Sequence, residues 1–269
     1  GFIISWLMFF FVKNTSGITI TPQFRPSFLP LASVGVLLPV LMNLGCYFFR
    51  EIQEKKSDLC EGNLKDELDS LSLGLGFKGK IKVAESDIEN DVSAYYTPLG
   101  NAVVLYDTLI DALTVDEICG VAAHEIAHAK HGDFWTNLAA DVMLRLITCF
   151  AFWCILSYCF SHAVPDNTVL IPFGEGILLI ASMLLYVLFS MMIERYQARY
   201  SEFRADQTAT QCGYGESLIS ALKKAAEADF EDLNPHPLLT VLFESHPPLI
   251  RRIEEIRKQE PGKMFHRKD

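Results

Sequence analysis

Apolar residues are gathered into long blocks along this chain rather than spread evenly through it. The clearest block is a nineteen-residue run at 31–49, and two more blocks follow at 146–164 and 176–193. A helix needs about 20 mostly apolar residues to cross the hydrocarbon core of a bilayer, so each block predicts a transmembrane helix. Residues 1–12 are equally apolar but too few to cross, and we interpret them as part of a transmembrane helix that begins before residue 1.

The polar segment after the first full block has the patterns of a small mixed domain. Leucines from Leu64 to Leu71 recur at helical spacing and predict an amphipathic helix. The stretches 80–83, 92–97 and 102–106 alternate or are rich in β-forming residues, and the last two are separated by the turn-forming sequence Pro-Leu-Gly-Asn. A small sheet that contains a hairpin is therefore expected.

A helix with defined ends follows the hairpin directly. Thr114 is a suitable N-cap, Glu117 completes a capping box with it, and Gly132 supplies a stop. Within these limits lies the pattern HExxH, which begins at His124 and ends at His128. Residues four apart stack on one helical face, so both imidazoles can reach a single zinc ion.

Glu125 lies beside His124 but off the face that the two histidines share. It is therefore placed to act as a general base towards an attacking water, not as a ligand. His131 is set aside as a ligand because it lies about 10 Å from His124 along the helix axis, and we interpret it as a cation at the helix C-terminus. The alternative for the whole pattern is a chance match on an ordinary amphipathic helix.

The last apolar block runs without a helix breaker into the residues that precede 206. Glu202 and Asp206 are four apart and again share a helical face. Catalytic zinc sites combine two histidines with one carboxylate and leave a position for water, so Glu202 is the predicted third ligand. Asp206 is predicted to accept the free N–H of a ligating histidine. A solvated acidic face is the alternative for this pair.

The C-terminal part contains His246 followed by two prolines, which suit the start of a helix. Ile250, Ile253 and Ile256 are predicted to face inward on that helix. His246 is either structural or a donor of a hydrogen bond to an oxyanion. The strand at 92–97 has a similar pair of interpretations, because it is either an ordinary hairpin strand or an edge that binds substrate as an added strand.

Composition and charge narrow the setting further. The chain has 269 residues, of which half are hydrophobic, and a net charge of −10, so a nucleic-acid partner is not expected. Its seven cysteines lack the spacing of a disulfide framework. The short loop at 161–168 contains no Lys or Arg, whereas basic residues cluster at the other ends of the apolar blocks. The positive-inside rule therefore predicts that the polar domain faces the cytoplasm.

Three motifs, HEIAH, the R-x-x-E-F-x-A-D string at 199–206 and S-H-P-P-L-I-R-R from residue 245, occur in that order. In these motifs the chain resembles the membrane zinc metalloproteases that group the HtpX heat-shock proteases with the CAAX prenyl endopeptidases. The resemblance covers roughly residues 93 to 269. It implies His124, His128 and Glu202 as zinc ligands and Glu125 as base. It further implies Asp206 behind the ligands, with His246 and Arg252 near the substrate.

The expected fold is a mainly α-helical integral membrane protein, with transmembrane helices continuous with a zincin-type protease domain that contains a small sheet. Residues 1–49 and 143–193 would form the membrane regions, and 50–142 and 194–269 the two parts of the protease domain. The zinc, one ion per chain, would then lie close to the membrane surface.

The expected function is hydrolysis of membrane-associated or misfolded membrane proteins or peptides at a multi-pass membrane enzyme. Prenyl-peptide hydrolysis and a non-catalytic chaperone or scaffold with a structural zinc are the alternatives. A site-2-type intramembrane protease is disfavoured because HExxH has charged neighbours here. The oligomeric state stays open.

Overall fold

The computed structural model describes residues 33–88, 91–162, 173–228, 232, 235–242 and 244–259 of a mainly helical chain. The chain divides into two compact units. One is drawn from residues up to Tyr47 and from Leu138–Ser190, and the other from Phe48–Asn137 and the chain from Met191 onward.

Three long helices carry the apolar blocks. They are α1 at Leu38–Gln53, which follows a short π-helical turn at Ser33–Leu37, then α5 at Asp133–His162 and α6 at Phe173–Gln211. Within the described residues, Gly35–Gln53 and Asp133–Cys154 are long and apolar enough to cross a membrane. Large apolar side chains on α1 and α5 are exposed, for example Met42 at 60% and Ile147 at 61%, as expected of surfaces that contact lipid.

The predicted spans and these helices overlap, but their limits differ. The predicted second span begins at 146, whereas the helix that carries it, α5, begins thirteen residues earlier, immediately after Gly132. Hydropathy detects the apolar core of a helix and not its polar first turns. The third span, 176–193, lies within α6, but most of its side chains are outside the described residues, as is all of 1–12.

The sheet has four strands in the order β1-β2-β4-β3. They are β1 at Lys56–Asp58, β2 at Lys80–Ala84, β3 at Ala94–Thr97 and β4 at Ala102–Tyr106. The strands expected at β2, β3 and β4 are confirmed. β1 was not predicted because its three residues are all polar and show no alternation of polar and apolar positions. β3 pairs antiparallel with β4 and, among the described strands, with no other, so β3 is an edge strand.

Shorter helices complete the second unit: α2 at Asn63–Leu75, α3 at Asp107–Ala112, α4 at Val115–His131, α7 at Gly215–Ala228, α8 at Pro237–Leu242 and α9 at Leu249–Gln259. Leu68 from α2, Ile126 from α4, Ile219 from α7 and Ile256 from α9 are buried together with the inner strand β4. This core fixes α4 at the centre of the unit.

One prediction about α9 is wrong. Ile250 is 41% exposed, whereas Leu249, Arg252 and Ile256 are buried. The buried set follows the helical spacing of three and four residues. A sequence pattern that counts only apolar residues misses the charged Arg252, which is buried because it has a carboxylate partner.

The N-terminus of α4 is fixed by the predicted capping box and by contacts from α7. The Thr114 side chain accepts from the Glu117 backbone N–H, and the Glu117 carboxylate accepts from the Thr114 backbone N–H. The same carboxylate also accepts from Ser220 at 2.6 Å and from Lys224 at 2.7 Å. Burial raises the pKa of Glu117, but these hydrogen bonds outweigh it and lower the pKa to about 2.

Glu117→Gln is therefore expected to destabilise the protein at neutral pH by about 1–3 kcal/mol, because a buried, charge-assisted network loses its charge. The pKa of Glu117 is lower in the folded state than the unfolded value of about 4.3. Its contribution is then complete above that value and is lost as pH falls towards the folded pKa. Unfolding in detergent at neutral pH and at about pH 3 measures the difference, which should shrink in acid.

The exposed Glu216 on α7 supplies the matched control, because Glu216→Gln removes the same charge outside the network. An equal loss of stability for Glu117→Gln at both pH values would contradict the role of the carboxylate charge.

Candidate metal centre

Helix α4 presents His124 and His128 on one face, opposite Glu202 from α6. The two imidazole Nε2 atoms are 3.1 Å apart. Glu202 Oε2 lies 3.5 Å from His124 Nε2, and Glu202 Oε1 lies 3.5 Å from His128 Nε2. One ligand atom from each of the three residues lies within 4.8 Å of the other two, so the group can hold a metal ion.

The spacing of these atoms fits a tetrahedral ion. Bonds of about 2.0–2.1 Å to such an ion separate neighbouring donor atoms by roughly 3.3–3.5 Å. The observed separations of 3.1, 3.5 and 3.5 Å lie at or just below this range. Two nitrogens and one carboxylate are also the donor types that zinc takes in catalytic sites.

Each histidine has a carboxylate behind it. His124 Nδ1 lies 2.9 Å from Asp206 Oδ1, and His128 Nδ1 lies 2.7 Å from Asp133 Oδ2. These contacts place the imidazole N–H groups on Nδ1 and leave the Nε2 lone pairs to converge on the space in front of Glu202. The arrangement is that of oriented metal ligands.

The electrostatics of the group favour a positive charge at its centre. Burial lowers the pKa of His128, but Asp133 and Glu202 outweigh it and raise the pKa to about 10. Burial raises the pKa of Glu202, yet the three histidines around it, His246 included, hold the pKa well below its usual range. Two protonated Nε2 atoms would oppose each other across 3.1 Å, whereas one shared cation satisfies both.

Asp133 belongs to the candidate site but is not among the residues that the sequence predicts there. It begins α5 and returns its side chain over the last turn of α4 to His128. Arg204 from α6 pairs with the other oxygen of this carboxylate. The available signal was its position directly after Gly132, whose φ of 65° turns the chain back.

Asp206 is held by Arg252 from α9 in a two-point contact. Arg252 Nε lies 2.8 Å from Asp206 Oδ2, and Nη2 lies 2.7 Å from Oδ1. Arg252 Nη1 is also 3.4 Å from Glu202 Oε2. The buried Arg252 thus contacts the two carboxylates of α6, and its expected place near the substrate stays a prediction.

A cavity of about 540 Å³ adjoins the metal-binding group. Glu125 lines it together with the edge strand β3, and burial raises the pKa of the Glu125 carboxyl. The lining also includes the apolar residues Leu113, Leu222 and Ala225. The cavity therefore has both polar groups and apolar walls.

His246 lies at the exposed side of this cavity. Its Nδ1 is 3.1 Å from Glu202 Oε2, and its side chain is 62% exposed. The contact with Glu202 raises the pKa of His246. His131, in contrast, lies apart, with Nε2 3.1 Å from Thr208 Oγ1. Burial and Arg204 lower the pKa of His131, and its interpretation as a cation at the helix C-terminus stays a prediction.

The chain is similar in sequence to the members of a known peptidase family. The model of peptidase family M48 matches residues 58–260. The chain is 33% identical over 184 residues to the protease HtpX of Mannheimia succiniciproducens, which covers 62% of this chain and 63% of that protein. It is 27% identical over 249 residues to a CAAX prenyl protease 1 homolog of Arabidopsis thaliana, which covers 84% of this chain and 54% of that protein.

Among solved structures, S. mikatae Ste24p matches with a TM-score of 0.61 and 26% sequence identity, covering 82% of this chain and 55% of that chain. The chain thus spans less than two thirds of the length of each of these three relatives.

Asp133→Asn is expected to lower the affinity for a divalent metal about 10- to 100-fold, because His128 loses the acceptor that orients its ring. Competition with a chromophoric chelator on the purified protein measures the affinity for zinc. Asp111→Asn, an exposed change of the same type, is the control. Unchanged affinity in Asp133→Asn would contradict the role of Asp133 in orienting His128.

Proposed function

The chain belongs to peptidase family M48, and on that premise we propose that it is an integral-membrane zinc metalloendopeptidase. His124, His128 and Glu202 would ligate one zinc ion per chain. The observation that carries this proposal is the convergence of two Nε2 atoms and one carboxylate at separations of 3.1–3.5 Å, with each Nδ1 held by a carboxylate.

A zinc ion bound there supplies Lewis acidity, which activates water and polarises a carbonyl. Glu125 lines the same cavity next to His124 and would take a proton from the attacking water and later pass it to the leaving amine. Its raised pKa suits both steps, because a base that must return its proton works best with a pKa close to the working pH.

His246 would stabilise the oxyanion that forms at the scissile carbonyl. Its Nδ1 is engaged with Glu202, so in the doubly protonated ring Nε2 would be the nitrogen left to donate to that oxyanion. Arg252 would act behind the ligands as a positioning residue, because its guanidinium holds Asp206 and approaches Glu202. Asp206 in turn would orient His124.

The proposed substrates are membrane proteins or peptides with an apolar side chain beside the cleaved bond. The apolar lining of the cavity supports this choice, and the edge position of β3 among the described strands suits a substrate in extended conformation. Prenyl-peptide hydrolysis is the runner-up, because one relative is named a CAAX prenyl protease homolog. A prenylated peptide therefore belongs in the test panel.

We also propose that residues 1–49 and 143–193 form the membrane regions and that the protease parts, 50–142 and 194–269, face the cytoplasm. The division of the chain near Tyr47, Asn137 and Ser190 supports the layout. The two candidate spans on α1 and α5 support membrane insertion. The distribution of Lys and Arg supports the orientation.

Glu125→Gln is expected to lower kcat about 10²- to 10⁴-fold while zinc content stays unchanged, because the general base is lost and the ligands are kept. Purified protein in proteoliposomes is assayed by mass spectrometry on unfolded membrane-protein fragments and on prenylated and unprenylated peptides. Glu61→Gln, an exposed change of the same type, is the control. Full cleavage by zinc-loaded Glu125→Gln would contradict the role of Glu125 as base, whereas a biological activity that this variant keeps without cleavage would favour the chaperone or scaffold alternative.

The orientation is tested with the exposed free cysteines Cys60 and Cys212. A membrane-impermeant maleimide is expected to label variants that retain either one in inside-out vesicles and not in right-side-out vesicles. Asn167→Cys, in the loop predicted on the opposite side, should show the reverse pattern. Labelling of Cys212 in right-side-out vesicles would reverse the proposed topology.

A further inference from the structure

Two carboxylates at the end of α1 hold the edge strand β3. Glu51 and Glu54 are three residues apart, so they share one side of the last turn, and Tyr95 and Thr97 are two apart, so they share one face of the strand. Thr97 Oγ1 donates to Glu51 Oε2 at 2.6 Å, and the Tyr95 hydroxyl donates to Glu54 Oε2. The two spacings match closely enough for both contacts to form together.

Lys56 at the start of β1 balances the charge of this cluster. Its Nζ lies 2.7 Å from Glu51 Oε2 and 3.7 Å from Glu54 Oε2, and its side chain is only 7% exposed. We call Glu51, Glu54 and Lys56 the acidic clamp. Buried ion pairs contribute little net stability because both charges lose hydration, and their best-attested use is to fix one arrangement. We therefore explain the clamp by the arrangement that it fixes and not by the stability that it adds.

The residue between the two clamped side chains is Tyr96, which faces the other way along the strand. Its backbone N–H lies close enough to the Glu125 carboxylate to act on it as a hydrogen-bond donor. β3 is only four residues long and is paired along one side among the described strands. Its position relative to α4 thus depends on contacts other than its pairing with β4. The clamp supplies two such contacts, one at Tyr95 and one at Thr97, on the two sides of Tyr96.

We infer that the acidic clamp is a positioning device for the general base: it fixes β3, and the backbone N–H of Tyr96 then holds the Glu125 carboxylate in its working orientation. The inference rests on the proposed function. Glu125 is not a ligand, so coordination does not hold it, and a displacement of about 1 Å in a reacting group costs on the order of 100-fold in rate.

The test compares variants that loosen β3 without touching Glu125 or the ligands. Tyr95→Phe keeps the ring that lines the cavity and loses the bond to Glu54, and Thr97→Val loses the bond to Glu51. Each is expected to lower kcat at least about tenfold, equivalent to about 1.4 kcal/mol. KM should stay within about twofold, for short and long peptides alike, with zinc content unchanged.

Two matched variants separate positioning from general damage. Tyr106→Phe removes another tyrosine hydroxyl from Glu54, at 2.6 Å, but from the inner strand β4, and should leave kcat unchanged. Thr97→Ser keeps the hydroxyl and should restore most of kcat. Unfolding temperature and zinc content are measured for every variant, so that a fall in kcat is compared only among folded, loaded proteins.

The outcomes are distinct. Unchanged kcat in folded, zinc-loaded Tyr95→Phe and Thr97→Val overturns the inference and leaves the proposed function intact. A rise in KM restricted to long peptides also overturns it, because the clamp would then serve substrate binding. Absence of cleavage by the wild-type protein overturns the proposed function and the inference together.

Discussion

The architecture depends on one electrostatic constraint, the convergence of three electron-rich groups in a buried space. Two imidazole nitrogens and a carboxylate meet within 3.1–3.5 Å of each other. Such a meeting is unfavourable unless a positive charge lies between them, because each group has been withdrawn from water. The surrounding residues carry alternating charges. Carboxylates lie behind the histidines, and Arg252 and Arg204 lie behind those carboxylates.

That alternation also explains why the supporting residues come from so many elements. Asp133 comes from the start of α5, Arg204 and Asp206 from α6, and Arg252 from α9. An ion pair between distant segments has the correct length only when the helices are correctly packed. The capping box, the hydrogen bonds from α7 to Glu117 and the small apolar core supply that packing around α4. The fold is thus arranged around α4, and α4 around two imidazoles.

The sequence predicted what local rules control. The limits of α4 follow from a capping box and a glycine, and the strands β2, β3 and β4 follow from alternation and a turn. Whether Glu202 and Asp206 ligate and support the metal remains a prediction, although the structure places them beside the histidines. Asp133 and the acidic clamp were not predicted, because each depends on a contact between elements that no periodicity records. Ile250 was misassigned because apolar periodicity cannot anticipate a buried arginine two residues away.

Groups that act on the peptide bond do not by themselves determine substrate specificity. A zinc ion, a carboxylate base and an oxyanion donor act on the peptide bond, which is the same in every protein. Relatives with the names protease HtpX and CAAX prenyl protease share this family. Under the proposed function, differences in substrate would come from surfaces that receive side chains, and in this chain the apolar walls of the cavity, contributed by α7 and the residues before α4, are the surfaces we propose. Substitutions at Leu113, Leu222 or Ala225 are then expected to change which residues fit, and those at His124 or Glu125 to change whether any bond is cleaved.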